Sequence, residues 1–220
     1  MPKSKQVKAA APKLKTITIT RKIARAGAYR PLFITMLVFG IIGLITSFVL
    51  SIEEFHLLKN PDAVLSCSLN LVLNCSEVMK TWQASVFGFP NMFIGLMAFP
   101  VVITTAVVAL LGAQLPRWFW LTATICFGLG LVFAYWLFFN SVYVIQVLCP
   151  WCLVITATTT ILFETIMRYS LRENIFNFKK KANASIQKFL DQDYDKLLTA
   201  SWMVLLVVLV VLKFGTDLFA

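Results

Sequence analysis

Residues 118–163 read WFWLTATICFGLGLVFAYWLFFNSVYVIQVLCPWCLVITATTTILF, a run of 46 residues without a charged side chain. One helix crosses ~30 Å of hydrocarbon with about 20 apolar residues. The run is too long for a single crossing and too apolar for a soluble loop, so it must turn back on itself. Asn140, Ser141, Gln146 and the Cys149-Pro150 pair are its polar or helix-breaking positions. They predict one membrane helix over 118–139, an outer turn over 140–149, and a second helix over 150–169.

The same reading extends in both directions. Residues 81–116 are also free of charge and predict a helix over 92–111. Residues 31–52 predict the first crossing. Residues 200–212 predict a fifth, reaching 219 if Lys213 extends its stem along apolar surface to the interface. The expected fold is an all-α polytopic membrane protein with five crossings. Composition agrees: 59% of the 220 residues are apolar and 14% are charged, against about 25% charged in soluble domains. That balance excludes a disordered chain, a disulfide-knotted miniprotein and an ordinary soluble enzyme.

The net charge of +10 would suggest nucleic acid in a soluble protein. In a membrane protein it reads as orientation, because Lys and Arg accumulate on the cytoplasmic side. Of the 20 Lys and Arg residues, 17 lie in the first 30 residues, at Arg117 and in 168–199. These segments are expected inside. The 53–90 loop and the 140–148 turn are then expected outside, with the C-terminus. The organisation is a basic cytoplasmic tail (1–30), four crossings with their outer loop at 53–90 (31–169), a cytoplasmic linker (170–199) and the fifth helix (200–220). The tail reads as a disordered basic arm touching anionic lipid; its acid-free stretch with Thr16, Thr18 and Thr20 also fits a transit peptide. An interfacial helix is expected near 186–198.

Four of the five cysteines then share one side. Cys67 and Cys75 lie in the outer loop, and Cys149 and Cys152 form Cys149-Pro150-Trp151-Cys152 at the outer end of the fourth crossing. Disulfides persist outside the cytoplasm. Pro150 suits the first helical position, which makes Cys149 the expected N-cap and Cys152 the third helical residue. The N–H groups and positive dipole end of that helix stabilise a thiolate, the attacking species in disulfide exchange. Two pairs suggest a relay, one pair meeting a soluble thiol protein and the other a carrier dissolved in the bilayer. A zinc site would ask for a second CxxC or a His pair, and His56 is the sole histidine. Two static structural disulfides are the other bland reading. Cys126, in mid-span, reads as a core filler.

These residues resemble the vitamin K epoxide reductase family in its bacterial form. The match lies in Cys67, then Cys75-Ser76-Glu77-Val78, Thr81, Val86-Phe87-Gly88-Phe89-Pro90-Asn91, Gly95 and Cys149-Pro150-Trp151-Cys152, in order from residue 31 to about 169. The resemblance implies that residues 31–169 form a four-helix transmembrane catalytic bundle around a quinone, ubiquinone or menaquinone, with no metal and with a fifth helix alongside. Cys152 would reduce the quinone, Cys149 would exchange with Cys67, and Cys75 would meet a DsbA-like or thioredoxin-like partner. Asn91 would hydrogen-bond a quinone carbonyl; as a helix N-cap it has an equally good reading. Thr81 would be the polar residue near the active cysteine. Trp82, Phe87, Phe89 and Trp151 are either an interfacial aromatic belt or a lid over the quinone. Animal members carry a Tyr where this chain has Thr156, whose hydroxyl would still donate a hydrogen bond to the quinone but with less reach, and this favours a simple quinone over vitamin K epoxide. The implied activity is thiol:quinone oxidoreduction supporting disulfide formation across a bacterial inner membrane. A eukaryotic vitamin K epoxide reductase and a non-enzymatic membrane subunit are the alternatives.

Overall fold

The computed structural model describes residues 13–61, 65–68, 70 and 72–215, with side chains from residue 29 onward. Five of its helices are long and apolar enough to cross a membrane. They are α1 (Lys13–Lys59), α3 (Met92–Leu110), α4 (Arg117–Asn140), α5 (Pro150–Arg172) and α7 (Tyr194–Phe214). Two short helices complete the list, α2 (Cys75–Met79) in the outer loop and α6 (Lys180–Asp191) before the last crossing. Among the described residues there is no β-strand. The protein is an all-α polytopic membrane protein.

The bundle is knit by small residues on α1. A Cβ added at Gly43 would stand 2.4 Å from the Phe99 ring, and one at Gly95 would stand 2.2 Å from Ser47 Oγ. Glycine at these positions lets α1 and α3 approach closely, the usual way membrane helices gain contact where lipid is as apolar as the side chains. Phe33, Met36, Phe99, Val102, Trp120, Leu162 and Ile166 fill the interior beside them. The opposite faces of α1 and α7 leave Ile45, Phe48, Val207 and Leu212 exposed, as lipid-facing residues should be. On α5, Thr156, Thr160 and Thr165 donate their hydroxyls to the carbonyls of Cys152, Thr156 and Ile161 one turn back. Each hydroxyl is satisfied within its own helix, so a threonine-rich segment is tolerated in an apolar setting.

Several boundaries differ from the sequence reading. The basic tail is no loose arm from Lys13 on: helix α1 runs unbroken into the first crossing, with Pro31 inside it. The segment from Lys13 to Pro31 holds a single glycine and no other proline, so nothing interrupts the turn-by-turn bonding. The remainder of the tail, and the extension of the fifth crossing to 219, lie outside the described residues. The turn after α4 begins later than Asn140. Asn140 donates its side-chain amide to Trp136 O and stays helical, and a π-helical turn carries the chain through Ser141–Ile145. The reversal comes at Gln146, in the left-handed region at φ 58°. Ser141 Oγ donates to Val147 O across the bend. The expected helix over 186–198 is two helices, α6 and the start of α7, separated by the left-handed Asp193 at φ 55°.

That break is held by an arginine. Arg168 of α5 has 8% of its surface exposed. Its Nη1 donates to both Asp195 oxygens at 2.7 and 2.6 Å, and its Nη2 donates to Asp193 at 2.6 Å and to Leu190 O at 3.0 Å. Arg172 donates to Asp191 and to the same Leu190 carbonyl. Two residues counted above as orientation signals thus fasten α6 and α7 to α5.

Candidate active site

The outer loop is pinned to the start of α5 by backbone pairing. Leu73 and Leu148 form an isolated parallel bridge, with Asn74 N–H donating to Leu148 O at 2.9 Å and Leu148 N–H to Val72 O at 2.7 Å. Asn74 then caps α2: its Oδ1 accepts from Ser76 N–H at 3.1 Å and also from the Ser76 and Ser68 hydroxyls. This fixes Cys75 as the first residue of α2, directly across from Cys149.

Cys149 is the N-cap of α5, with Pro150 as the first helical residue, as the spacing predicts. Its Sγ accepts the Cys152 N–H at 3.3 Å. Cys67 and Cys75 are joined as a disulfide, while Cys126, Cys149 and Cys152 are free thiols. The Sγ atoms of Cys75 and Cys149 stand 3.2 Å apart. Reacting atoms about 3–3.5 Å apart are in near-attack range. The sulfur in contact with Cys149 is therefore that of Cys75. This corrects the pairing implied by the resemblance, which put Cys67 in that place; the Leu73–Leu148 bridge is the physical reason, since it brings position 75 and not position 67 to the helix start. Cys75 is fully buried and Cys67 is 4% exposed, so both sulfurs of the loop disulfide are covered.

Below the sulfurs the bundle encloses a cavity of about 330 Å³, within the ~300–1,000 Å³ of small-molecule sites. Its wall is mostly apolar, with Met79, Phe99, Phe133 and Leu137 among its members. Both Cys149 and Cys152 reach it, and the exposed surface of Cys152 belongs to a residue of that wall. Thr81, Asn91 and Thr156 line it as well. Phe87 and Trp151 lie outside its wall: Phe87 is exposed and packs at 5.3 Å on Phe133, which does line the cavity, and Trp151 packs with the cysteine cluster above. Cys126 is not the core filler expected from mid-span; it is exposed and part of the cavity wall, because the α4 face carrying it, with Gly130 one turn on, is the one turned toward the cavity.

The polar atoms of the wall are few. Asn91 sits at the N-cap position of α3 but its side chain makes no cap bond. Instead its Nδ2 donates to Gln83 O at 2.6 Å. A carbonyl can only accept, so this contact fixes the amide's orientation and leaves Oδ1 buried without a partner. Ser47 Oγ is a second orphan at the wall, on a fully buried residue of α1. Buried polar atoms normally find a partner, so both point to a ligand with hydrogen-bonding oxygens. Thr81 Oγ1 donates to Val78 O at 2.7 Å and Thr156 Oγ1 to Cys152 O at 2.9 Å, so neither hydroxyl proton is free for a ligand. The sequence reading missed Ser47, Gln83 and Thr159. The signal for Ser47 was the Gly40, Gly43, Ser47 series of small residues at helical spacing on α1.

Burial alone would push the Cys149 thiol up. The hydrogen bond from Cys152 outweighs it, with help from the backbone N–H groups of Cys152 and Trp151, and holds Cys149 below the ordinary thiol range. Thiolate should therefore form at Cys149 at a pH below the ~8.5 of an unperturbed cysteine. A titration of ultraviolet thiolate absorbance, taken as the difference between the parent and Cys149→Ser, should show this low midpoint. Cys152→Ala should move it up; an unchanged midpoint would show that Cys152 is not its cause.

No group of three or more His, Cys, Asp or Glu residues able to hold a metal occurs among the described residues. A family model described as the vitamin K epoxide reductase family matches residues 34–167, more than half of the chain and all four cysteines of the two pairs. No curated protein and no solved structure matches the chain. A loop disulfide against a helix-capping CxxC, both above an apolar cavity within a membrane bundle, is what a thiol-dependent membrane oxidoreductase needs. The chain belongs to the vitamin K epoxide reductase family of oxidoreductases.

Proposed function

We propose that the protein transfers electrons from a DsbA-like or thioredoxin-like thiol protein, on the outer face of a bacterial inner membrane, to ubiquinone or menaquinone in the bilayer. The observation that carries this reading is the 3.2 Å approach of Cys75 and Cys149 sulfurs at the top of the cavity that Cys152 also lines.

The direction of attack follows from contact: Cys75 already stands against Cys149, which leaves Cys67 to the partner. A partner thiolate attacks Cys67 Sγ, forms a mixed disulfide with it and releases Cys75 as a thiolate. Cys75 then attacks Cys149 Sγ of an oxidised Cys149–Cys152 pair, and Cys152 leaves. The partner's second thiol resolves its bond to Cys67. Cys67 closes the loop disulfide by attacking Cys75, and Cys149 leaves as a thiolate, stabilised by its place at the α5 start. Two electrons have moved inward and the loop pair is oxidised again, the redox arrangement of the present structure. A quinone in the cavity accepts that electron pair with two protons. Cys152, on the wall, is the thiol that faces it. Asn91 Oδ1, an acceptor, suits the hydroxyl of the reduced form better than the carbonyl of the oxidised one, and Ser47 Oγ–H is the donor available to a carbonyl or methoxy oxygen. Phe87 and Trp151 take part only as packing above the wall. With Thr156 Oγ1 donating to its own helix, that position offers no free hydroxyl proton in place of the animal tyrosine, and a simple quinone is the favoured acceptor.

Purified Cys152→Ser should lose the quinone-dependent oxidation of a reduced DsbA-like protein that the parent protein carries out. Full activity in Cys152→Ser would overturn the reading.

A further inference from the structure

A second cavity, of about 300 Å³, opens at the end of the bundle opposite the cysteines. It lies between the start of the α1 crossing, the end of α3, the start of α4 and the end of α5, and its wall includes Tyr29, Phe33, Arg117, Trp120, Tyr169 and Glu173. Three features of it are unexplained by the bundle's own packing. Trp120 is 2% exposed, and its indole Nε1–H has no acceptor. Arg117 is locked at the rim by donating Nε and Nη2 to the Ile175 carbonyl, which leaves Nη1 for a group from outside. Helix α4 starts at Arg117 after Pro116, with no side chain capping its free N–H groups. A buried donor, a fixed guanidinium and an uncapped helix start all ask for oxygen acceptors bearing negative charge.

The wall also holds one carboxylate. Glu173 lies close to the Tyr29 hydroxyl and is only partly exposed. A purely anionic ligand would meet Arg117 favourably and Glu173 unfavourably. A ligand carrying both a phosphodiester and an ammonium would satisfy both. Next to its lining residues in the chain, Leu111 and Trp118 are 82% and 68% exposed. That is where acyl chains and interfacial aromatics belong, at the ends of crossing helices. We infer that this cavity binds the headgroup of an amine-bearing phospholipid, its phosphate on Arg117 and Trp120 and its ammonium toward Glu173.

The test uses the full-length protein, delipidated in detergent, with native mass spectrometry reading the lipid retained. Phosphatidylethanolamine should be held at one molecule per chain in preference to phosphatidylglycerol. Trp120→Phe, which keeps the ring but removes the donor, and Arg117→Gln should each lower that occupancy about tenfold or more, as expected for a hydrogen bond to a charged group. Glu173→Gln should shift preference toward phosphatidylglycerol, an outcome that no loss of folding can mimic. Retention indifferent to Trp120 and Arg117, or lipid preference unmoved by Glu173→Gln, overturns the assignment. Competition by soluble phosphoethanolamine or inorganic phosphate with affinity equal to the lipid's would overturn the lipid as ligand, leaving a site for small phosphoryl compounds.

Discussion

The Cys67→Ser/Cys152→Ser double variant, made with Cys126→Ser, should accumulate a Cys75–Cys149 disulfide in nearly every molecule. Each substitution removes a thiol able to resolve the mixed disulfide, and the two remaining sulfurs stand 3.2 Å apart. A pair held in near-attack geometry has an effective concentration on the order of 10⁵ M or more, so the internal bond outcompetes exchange with millimolar glutathione. The complementary Cys75→Ser/Cys152→Ser variant should leave Cys67 and Cys149 largely reduced. Peptide mapping under non-reducing conditions tells the two apart, and the opposite yields would return Cys67 to the place opposite Cys149. The single variant Cys149→Ser should lose at least about a thousandfold in turnover, as losses of a covalent nucleophile do. The loop disulfide should still be reducible by the partner in that variant. The break in the relay would then lie between the two pairs and not at the entry point.

The limits of the sequence reading sort by range. Crossings at 92–111 and 150–169 were legible because a charge-free stretch of membrane length has few alternatives, and the Cys149 cap was legible because Pro150 determines its own position in a helix. Both are local facts. The sulfur pairing was not local. It depends on a two-bond bridge between Leu73 and Leu148, made by backbone groups that any residues could supply, so the spacing of Cys67 and Cys75 carried no trace of it. Asn91 failed as a cap for a similar reason: the 3₁₀ turn Trp82–Ser85 brings the Gln83 carbonyl to its amide, and that long-range acceptor wins over the helix start. Cys126 was misread because a mid-span position says nothing about which face of α4 meets the cavity. Charge misled in a different way. Arg117, Arg168 and Arg172 were all counted toward orientation, and each also makes a specific contact with a neighbouring segment.

Arg168→Ala should give the largest loss of stability of any single substitution away from the cysteines, about 3–5 kcal/mol, the usual cost of leaving one member of a buried ion pair alone. The cost falls unevenly on Arg168's partners. The Leu190 carbonyl keeps its bond from Arg172, and the exposed Asp193 keeps Lys196 at 3.1 Å. Asp195 has neither remedy: its side chain is 15% exposed and pairs with Arg168, and Glu164 lies beside it. Removing the guanidinium leaves two carboxyl groups facing each other without that cation. At about 2–4 °C per kcal/mol for a chain of this size, thermal unfolding should begin roughly 10 °C earlier, and proteolysis should cut first near Asp193, where α6 and α7 part. Arg168→Met combined with Asp195→Leu should recover most of the loss, because an apolar pair of similar volume commonly replaces a buried ion pair at little or no cost. Quinone-dependent turnover per folded molecule should change little in either variant, since the cysteines lie at the other end of α5. A loss of turnover equal to the loss of stability would show instead that α7 must stay docked on α5 for the relay to run.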